Sequence, residues 1–302
     1  MRSKYFTDAR RPVKDCRLAA PPLPGGERKL LKESVFSVSF FVLLHRGIKG
    51  KKRVIAIVSD IHSNLEALQA VLNDIRKRPV EKILCLGDIV GYGPNPKECI
   101  DLARKFDFTI LGNHDEAALF VHEGAFFNEK ARMAIEWTRG ILDDPRDQKL
   151  NTERWNFLGE LPRTYTVNGA LLVHGSPRKP VKEYIFPETI FTPMKLERIF
   201  EKVELLCFVG HTHIPGIITA DCQFFSPQTL ENTYHYTDKK AIINFGSVGQ
   251  PRDGDPRAAY GLIDNEKALF CRVEYDYHAT MQKIYAVNQL DNELADRLAE
   301  GR

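Results

Sequence analysis

Five apolar, β-branched segments of this chain are each followed at once by carboxylate, amide or imidazole side chains. The first is VIAIVSDIHSN at residues 54–64, a strand-like run that ends in Asp60 and His62. Such groups are costly at the edge of a core unless they find partners. Counting all five segments, the side chains are Asp60 and His62, Asp88, Asn113 and His114, His174, and His211 and His213. The fold must therefore bring polar strand ends together at a shared site.

From residue 53 onward, strand-like and helical segments alternate. Apolar residues at helical spacing predict a helix over 65–78. A second helix is predicted from Asp115 to about 135, and Asn168-Gly169 between two β-rich runs predicts a hairpin. Further strands are predicted around 81–89, 106–111, 205–213 and across most of 216–275, with loop and helix at 140–160 and helix at 187–203. Alternating strands and helices indicate an α/β fold with an added antiparallel portion.

The first 52 residues differ in composition from the rest. Residues 1–53 hold 14 Lys and Arg against 4 Asp and Glu, so the net charge of +3 combines +10 there with −7 in the remainder. Its apolar run at 35–44 is shorter than the ~20 residues of a membrane span. We interpret 1–52 as a basic extension, disordered or preceding the true start, with a membrane-surface anchor as the alternative. Residues 53–302 would form the domain.

The charge distribution and the cysteines limit the classes of function. The basicity belongs to the extension, so the sequence predicts no specific nucleic-acid surface. Six cysteines are scattered without a CxxC pair, which argues against a disulfide framework and favours a reducing cytoplasm. No membrane span is predicted, and the sequence does not indicate an oligomeric state.

The strand-end residues have the chemistry of a metal site. In an extended segment, residues two apart point to one face, so the pairs Asp60/His62 and His211/His213 can each aim at a common point. Carboxylate, imidazole and amide ligands suit Mn, Fe, Zn or Ni, and the lack of thiolates argues against structural zinc. The ligands outnumber what one ion takes, which favours two divalent ions bridged by a carboxylate.

Each motif alone has a simpler interpretation. Asp88 alone would be read as a turn or cap residue, and His174 alone as a hydrogen-bonded structural histidine. The GNHD segment alone could be a tight turn. However, five of the nine histidines lie in the five strand-end stretches, each beside Gly or Asp. This concentration favours a shared metal site.

The motifs, taken in order, resemble those of the calcineurin-like metallophosphoesterase superfamily. They are D-x-H at 60–62, GDIVG at 87–91, GNHD at 112–115, VHGSP at 173–177 and GHTH at 210–213. The loop GSVGQPRDGD at 246–255 resembles that of bacterial and archaeal single-domain members. The resemblance implies an α/β fold in which two mixed β-sheets pack as a sandwich flanked by helices.

The resemblance also implies roles for individual residues. One ion would be held by Asp60, His62, Asp88 and His213. The other would be held by Asp88, Asn113, His174 and His211. His114 would stay off the metals and act as general acid or stabilise charge on the phosphoryl oxygens, and Asp115 is a candidate for orienting it.

The substrate residues are less determined. Phosphoprotein phosphatases and symmetrical dinucleoside tetraphosphatases of the superfamily carry a phosphate-clamping Arg shortly after the second-motif Asp. Here Gly91 and Tyr92 occupy those positions. Arg252 is a candidate replacement, unless it pairs with an aspartate of its own loop, at 253 or 255. Asn64 and Tyr92 are further candidates to line the pocket.

These observations predict a metal-dependent phosphoesterase in which the ions activate water and His114 protonates the leaving group as general acid. Small phosphodiester or nucleotide-like substrates are favoured. The alternatives are a phosphoprotein phosphatase, a dinucleoside polyphosphate hydrolase and, outside enzymes, a metal-binding scaffold.

Overall fold

The computed structural model describes residues 53–302, so the interpretations of residues 1–52 lie outside it. The strands are β1 (Val54–Val58), β2 (Val80–Cys85), β3 (Phe108–Thr109), β4 (Thr164–Val167), β5 (Ala170–Val173), β6 (Leu206–Val209), β7 (Gly216–Thr219), β8 (Phe224–Phe225), β9 (Thr233–His235), β10 (Ala241–Asn244), β11 (Ala258–Ile263) and β12 (Lys267–Val273). The α-helices are α1 (Leu65–Arg76), α2 (Pro96–Ala103), α3 (Asn113–Leu119), α4 (Glu129–Leu142), α5 (Gln148–Glu160), α6 (Pro193–Phe200), α7 (Tyr277–Tyr285) and α8 (Glu293–Glu300).

The strands form two mixed sheets of six strands each. Their orders are β3-β2-β1-β11-β12-β9 and β4-β5-β6-β10-β7-β8. Within the first sheet β1, β2 and β3 run parallel, and within the second β5, β6 and β10 run parallel. The carboxyl ends of parallel strands point to the same edge of their sheet, which explains how strand ends distant in sequence can share a site.

Alternation along β1 shows how the layers are built. Ile55 and Ile57 belong to an apolar cluster drawn from strands of both sheets, which is the sandwich interior. Ala56 and Val58 point the other way, into a cluster that includes residues of α1 and α2. A third cluster packs α6 against the outer face of the second sheet. The predicted fold class, two mixed sheets flanked by helices, is confirmed.

Several element predictions need correction. The helix predicted from Asp115 to about 135 is two helices, α3 and α4, separated by a 3-10 turn at Val121–Phe126. Phe120 is extended, and Asn128 caps α4 by accepting a hydrogen bond from the Ala131 amide (2.9 Å), so the chain restarts there. The third strand shrinks to two residues, whereas the hairpin at Asn168-Gly169 is confirmed, with both residues at positive φ.

Two helices after residue 275 were not predicted. The buried residues of α7 and α8 form a fourth cluster with Tyr92 and residues of α4. The helical pair therefore packs beside the motif at 87–91. No helix within residues 53–302 has the length and apolar character needed to cross a membrane.

Candidate metal centre

Main-chain hydrogen bonds tie the strand-end loops of both sheets together. The Asp60 amide donates to the Gly87 carbonyl (3.0 Å), which joins the loops after β1 and β2. The Gly210 amide donates to the His174 carbonyl (2.9 Å), which joins the loops after β5 and β6. The two pairs are linked because the His211 amide donates to the Asp60 carboxylate (3.2 Å). The predicted residues of all these loops are thereby brought to one place.

The backbone at this place is unusual. Five of the predicted ligand residues have φ between +48° and +69°, namely Asp60, His62, Asp88, His211 and His213. This left-handed region is uncommon for residues with side chains, although Asp, Asn and His tolerate it best. Such conformations cost about 1–3 kcal/mol each and cluster at functional sites, because the surrounding structure must enforce them.

The predicted ligand atoms fall into two groups that share one carboxylate. The first group is Asp60, His62, Asp88 and His213, and the second is Asp88, His174 and His211. Each residue contributes one ligand atom, and the ligand atoms of a group all lie within 4.8 Å of one another. Asn113 joins the second group, since its Oδ1 lies 3.0 Å from His174 Nε2. Every member is buried.

Asp88 lies between the two groups. One carboxylate oxygen, Oδ2, is 3.7 Å from His62 Nε2 and 3.3 Å from His174 Nε2. The other, Oδ1, accepts a hydrogen bond from the His114 amide (2.8 Å). The carboxylate is thus oriented by the start of α3 and faces imidazoles of both groups.

Carbonyl groups set the tautomers of the ligand histidines. His62 Nδ1 donates to the Val90 carbonyl (3.1 Å), and His213 Nδ1 donates to the Gln250 carbonyl (2.6 Å). Because carbonyls only accept, each neutral ring carries its lone pair on Nε2. This is the arrangement in which proteins present histidine to a metal.

Those lone pairs converge on one another. The Nε2 atoms of His62 and His213 are 3.0 Å apart, and burial lowers the pKa of both rings, so the rings are neutral. Two facing acceptors repel unless a cation lies between or beside them. In addition, His211 Nε2 is buried without a hydrogen-bond partner within the described part of the chain. The residues present therefore fit a divalent metal ion.

The carboxylates complete the donor set. Burial alone would raise the pKa of Asp60, but the adjacent imidazoles of His213 and His174 bring that pKa well below its usual range. In the same way, His174 and His114 outweigh burial and lower the pKa of Asp88. The carboxylates of Asp60 and Asp88 are therefore anionic at neutral pH. Two buried anions among imidazoles bind divalent cations strongly.

His114 lies at the rim of the two groups and belongs to neither. Its ring centroid is 4.8 Å from that of His62 and 4.5 Å from that of Tyr92, and its Nδ1 is buried with no partner among residues 53–302. Burial lowers the pKa of His114 to about 4. Gly91 makes room for this ring, since a Cβ on Gly91 would lie 2.3 Å from His114 Nδ1.

Asp115 does not orient His114 through a hydrogen bond. Its carboxylate accepts from four main-chain amides, those of Asp88, Ile89, Val90 and Gly112, at 2.8–3.2 Å. Burial and the Asp88 carboxylate raise the pKa of Asp115, and these donors oppose that shift. These bonds show that the Asp115 carboxylate holds the loop that carries Asp88.

Asn64 also has a structural place. Its Oδ1 caps α1 by accepting from the Ala67 amide (3.1 Å), and its Nδ2 donates to the Gly249 carbonyl (2.8 Å). The side chain is buried and its polar atoms are used within the protein. We therefore do not propose Asn64 as a substrate contact.

Arg252 faces the site instead of pairing with an aspartate of its own loop. Asp253 pairs with Arg272, and Asp255 pairs with Arg257. The Arg252 guanidinium donates to Gln250 Oε1 (2.7 Å) and lies 5.8 Å from the Tyr92 ring centroid.

Sequence reasoning missed two residues beside the centre. Tyr184 stacks on the His211 ring at a centroid distance of 3.6 Å, and nothing in the surrounding PVKEYIF segment signals this contact. Gln250 is buried and contacts both a ligand histidine, through its carbonyl, and Arg252, through its side chain. Its position in the GSVGQPRDGD loop was the available signal.

Comparison with known proteins agrees with this architecture. The family model described as calcineurin-like phosphoesterase matches residues 53–243. An uncharacterized protein of Methanocaldococcus jannaschii is 40% identical over 259 residues, which cover 83% of this chain and 99% of that protein. A symmetrical bis(5'-nucleosyl)-tetraphosphatase of Thioalkalivibrio sulfidiphilus is 32% identical over 92 residues, which cover 29% of this chain and 33% of that protein.

A solved structure extends the agreement to three dimensions. The metallophosphoesterase from Sphaerobacter thermophilus has 37% sequence identity and a TM-score of 0.67, and the match covers 83% of this chain and 100% of that one. The motif order, the two-sheet sandwich, the buried Asp and His groups and the family match all lead to one assignment. The chain belongs to the calcineurin-like phosphoesterase family.

Proposed function

We propose that this protein is a dinuclear metal-dependent phosphoesterase acting on small phosphodiester or nucleotide-like substrates. The observation that carries the proposal is the pair of buried ligand groups that share Asp88. A single ion would occupy only one of the two ligand groups, whereas two ions would occupy both. The identity of the ions follows availability among Mn, Fe, Zn and Ni, since the ligand set suits each.

The ligand set gives each group a task. Asp60, His62 and His213 would hold one ion with Asp88, and Asn113, His174 and His211 would hold the other. When bound, the ions supply activation of water and neutralise charge on the phosphoryl group. The protein keeps the ligands in place through the strand-end loops, and Asp115 contributes by fixing the loop of Asp88.

His114 is proposed as the residue that serves the leaving group. It is buried beside both groups, it is not part of either, and its Nδ1 has no other partner in the described region. A ring so placed can donate a hydrogen bond to a phosphoryl oxygen. In its protonated form, which a pKa of about 4 makes the minor form at neutral pH, it can donate a proton to the departing alkoxide.

A cleft beside the centre is of a size that suits small substrates. A cleft of about 760 Å³ begins at Tyr92, next to His114. Partial similarity to the symmetrical bis(5'-nucleosyl)-tetraphosphatase supports a nucleotide-like substrate. A protein phosphatase remains the second candidate, because the same centre serves monoesters.

Chromogenic esters distinguish these activities. Protein stripped with EDTA and reloaded with Mn²⁺ should hydrolyse bis-p-nitrophenyl phosphate with a kcat/KM at least about tenfold above that for p-nitrophenyl phosphate, a difference of ~1.4 kcal/mol in transition-state binding. The stripped protein should be inactive on both. Release of p-nitrophenol is the measurement.

The other outcomes separate the alternatives. Preference for the monoester would favour the phosphatase. If neither ester is hydrolysed with Mn, Fe, Zn or Ni, tested one at a time, the proposed function is refuted. The metal-binding scaffold is then the interpretation that stands.

Gly91 offers a test of how His114 is held. In Gly91→Ala the new Cβ would clash with His114 Nδ1, and φ of +96° disfavours alanine. We expect turnover to fall roughly a hundredfold, as a ~1 Å displacement of a reacting group can cause. Metal content should stay at the wild-type level.

Gly140→Ala is the matched control, since its Cβ would meet nothing within 4 Å. It should keep wild-type turnover and gain slightly in stability, because Gly140 lies inside α4. Full activity of Gly91→Ala would show that the position of the His114 ring does not matter.

A further inference from the structure

Two arginines from distant parts of the chain each lie near the ring of Tyr92. The guanidinium carbon of Arg252 is 5.8 Å from the Tyr92 ring centroid, and that of Arg297 is 6.0 Å from it. Arg252 comes from the loop after β10, and Arg297 comes from α8. Tyr92 in turn contacts the rings of His62 (4.7 Å) and His114 (4.5 Å), so the arginines lie one side chain away from the metal centre.

The fold is built to place Arg297 there. Leu294 and Leu298 of α8 are buried in the cluster that contains Tyr92. Gly301 ends the helix with φ of +64°, and its carbonyl accepts from the Gly254 amide (2.9 Å) in the loop that carries Arg252. A Cβ on Gly301 would lie 2.6 Å from the Asp255 amide nitrogen, so helix and loop are in close contact.

Neither arginine is paired with an acidic side chain. Within residues 53–302 no Asp or Glu side chain forms an ion pair with either guanidinium, in contrast to their neighbours Arg257 and Arg272. Arg252 Nε is buried without a hydrogen-bond partner in that part of the chain. Arg297 Nε donates only to the main-chain oxygen of Arg302 (2.6 Å). Two positive charges near one ring repel each other, and some of their N–H donors have no partner. An anion that accepts hydrogen bonds from both guanidinium groups would remove this cost.

The two charges also act on each other. Burial lowers the pKa of Arg297, and the nearby Arg252 charge lowers it further.

The space beside Arg297 is open. The cleft of about 760 Å³ is lined by Tyr92, Met133, three cations (Lys130, Arg297 and Arg302) and three carboxylates (Glu129, Asp291 and Glu293), among others. Lys130 is paired with Glu293, and Arg302 is paired with Glu300. Arg297 is therefore the lining cation without an acidic side-chain partner, next to an aromatic ring and a methionine.

We propose that Arg252 and Arg297 form an anion site that binds a second phosphate of the substrate, so that the preferred substrates are phosphate esters carrying at least two phosphoryl groups, such as nucleoside diphosphates and larger polyphosphates. This inference rests on the proposed function for the placement of the first phosphate at the metal centre. Arginine suits the task, because its planar fork binds phosphate oxygens in pairs. The cleft along α4 and α8 would receive the remainder of the substrate.

The test compares ligands with one and two phosphates. ADP and AMP are used as competitors of bis-p-nitrophenyl phosphate hydrolysis by the Mn²⁺-loaded protein, with metal in excess. ADP should inhibit at least roughly tenfold more tightly than AMP, as one charge-assisted contact allows. Arg297→Met, which keeps the aliphatic volume, should remove most of that difference.

Controls separate the anion site from a general charge effect. Arg132→Met removes an exposed arginine of α4 that pairs with Glu136, and it should leave both inhibition constants unchanged. Thermal unfolding should show that Arg297→Met is folded. An equal loss for ADP, AMP and the diester, or no loss at all, would overturn the proposal.

A second measurement separates this inference from the proposed function. Equilibrium binding of ADP and AMP to metal-free wild type and Arg297→Met is measured by calorimetry. If the protein hydrolyses no ester but prefers ADP in an Arg297-dependent way, the anion site stands and the phosphoesterase proposal fails. If it hydrolyses esters and neither assay shows a preference that depends on Arg297, the anion site is refuted. If it does neither, both are refuted.

Discussion

Replacement of Asp88 by alanine should abolish binding of both metal ions and lower turnover at least about a thousandfold, the size of effect seen when a preorganised electrostatic group is lost. Asp88 belongs to both ligand groups, and its Oδ2 lies within 4 Å of an imidazole nitrogen in each. Removing it leaves each group with one anionic donor fewer, and the second group with imidazole and amide donors only. Metal content measured by atomic emission after gel filtration is the primary readout.

Asp88→Asn is the matched variant. It keeps a side-chain oxygen to accept from the His114 amide, a bond that measures 2.8 Å in the wild type, but it lacks the negative charge. We expect it to fold like the wild type and to lose metal nearly as completely as Asp88→Ala. Retention of two ions per chain by either variant would refute the shared-ligand assignment.

Replacement of His114 by alanine should lower kcat by about 10² to 10⁴-fold on esters with poor leaving groups while both ions are retained. The reason is positional: His114 is beside the centre but outside both ligand groups. The loss should shrink as the leaving group becomes more acidic, since an acidic alcohol departs without a proton. A series of aryl and alkyl phosphodiesters measures this dependence, with metal content determined in parallel.

His122→Ala is the control for this experiment. It also removes an imidazole, but from a side chain that is 76% exposed and lies outside the centre. It should leave kcat unchanged for every leaving group. If His114→Ala lowered kcat equally across the series, the ring would act by stabilising the phosphoryl oxygens and not as a proton donor. Unchanged turnover would exclude both roles.

The location of the candidate site could be predicted from short stretches of the sequence. Each strand-end motif combines an apolar run with residues that tolerate left-handed backbone, and the run alone predicts a buried strand. Asp60 and Asp88 could be assigned to one site because neighbouring strands of an α/β sheet end at the same edge. The structure brings all seven predicted ligand residues together for that reason.

The hydrogen-bond partners of individual polar side chains could not be predicted from the sequence. Asp115 is adjacent to His114 in sequence, yet its carboxylate bonds to the amides of the 87–90 loop, because α3 turns the side chain toward β2. Asn64 resembles a pocket residue beside D-x-H, but it caps α1 and bonds to Gly249. In both cases the competing partner lies far away in the chain, where local pattern carries no information.

The sequence by itself determined the alternating α/β organisation, the five strand-end motifs and the family to which they belong, since these depend on short-range periodicity and on residue types. Only the tertiary structure decided where a single predicted helix breaks into α3 and α4, that α7 and α8 pack against Tyr92, and that Arg252 and Arg297 both lie near Tyr92. The physical reason is that apolar burial acts along each segment and leaves a periodic pattern, whereas the partner of a charged side chain is chosen by contacts between segments that meet only after the chain has folded.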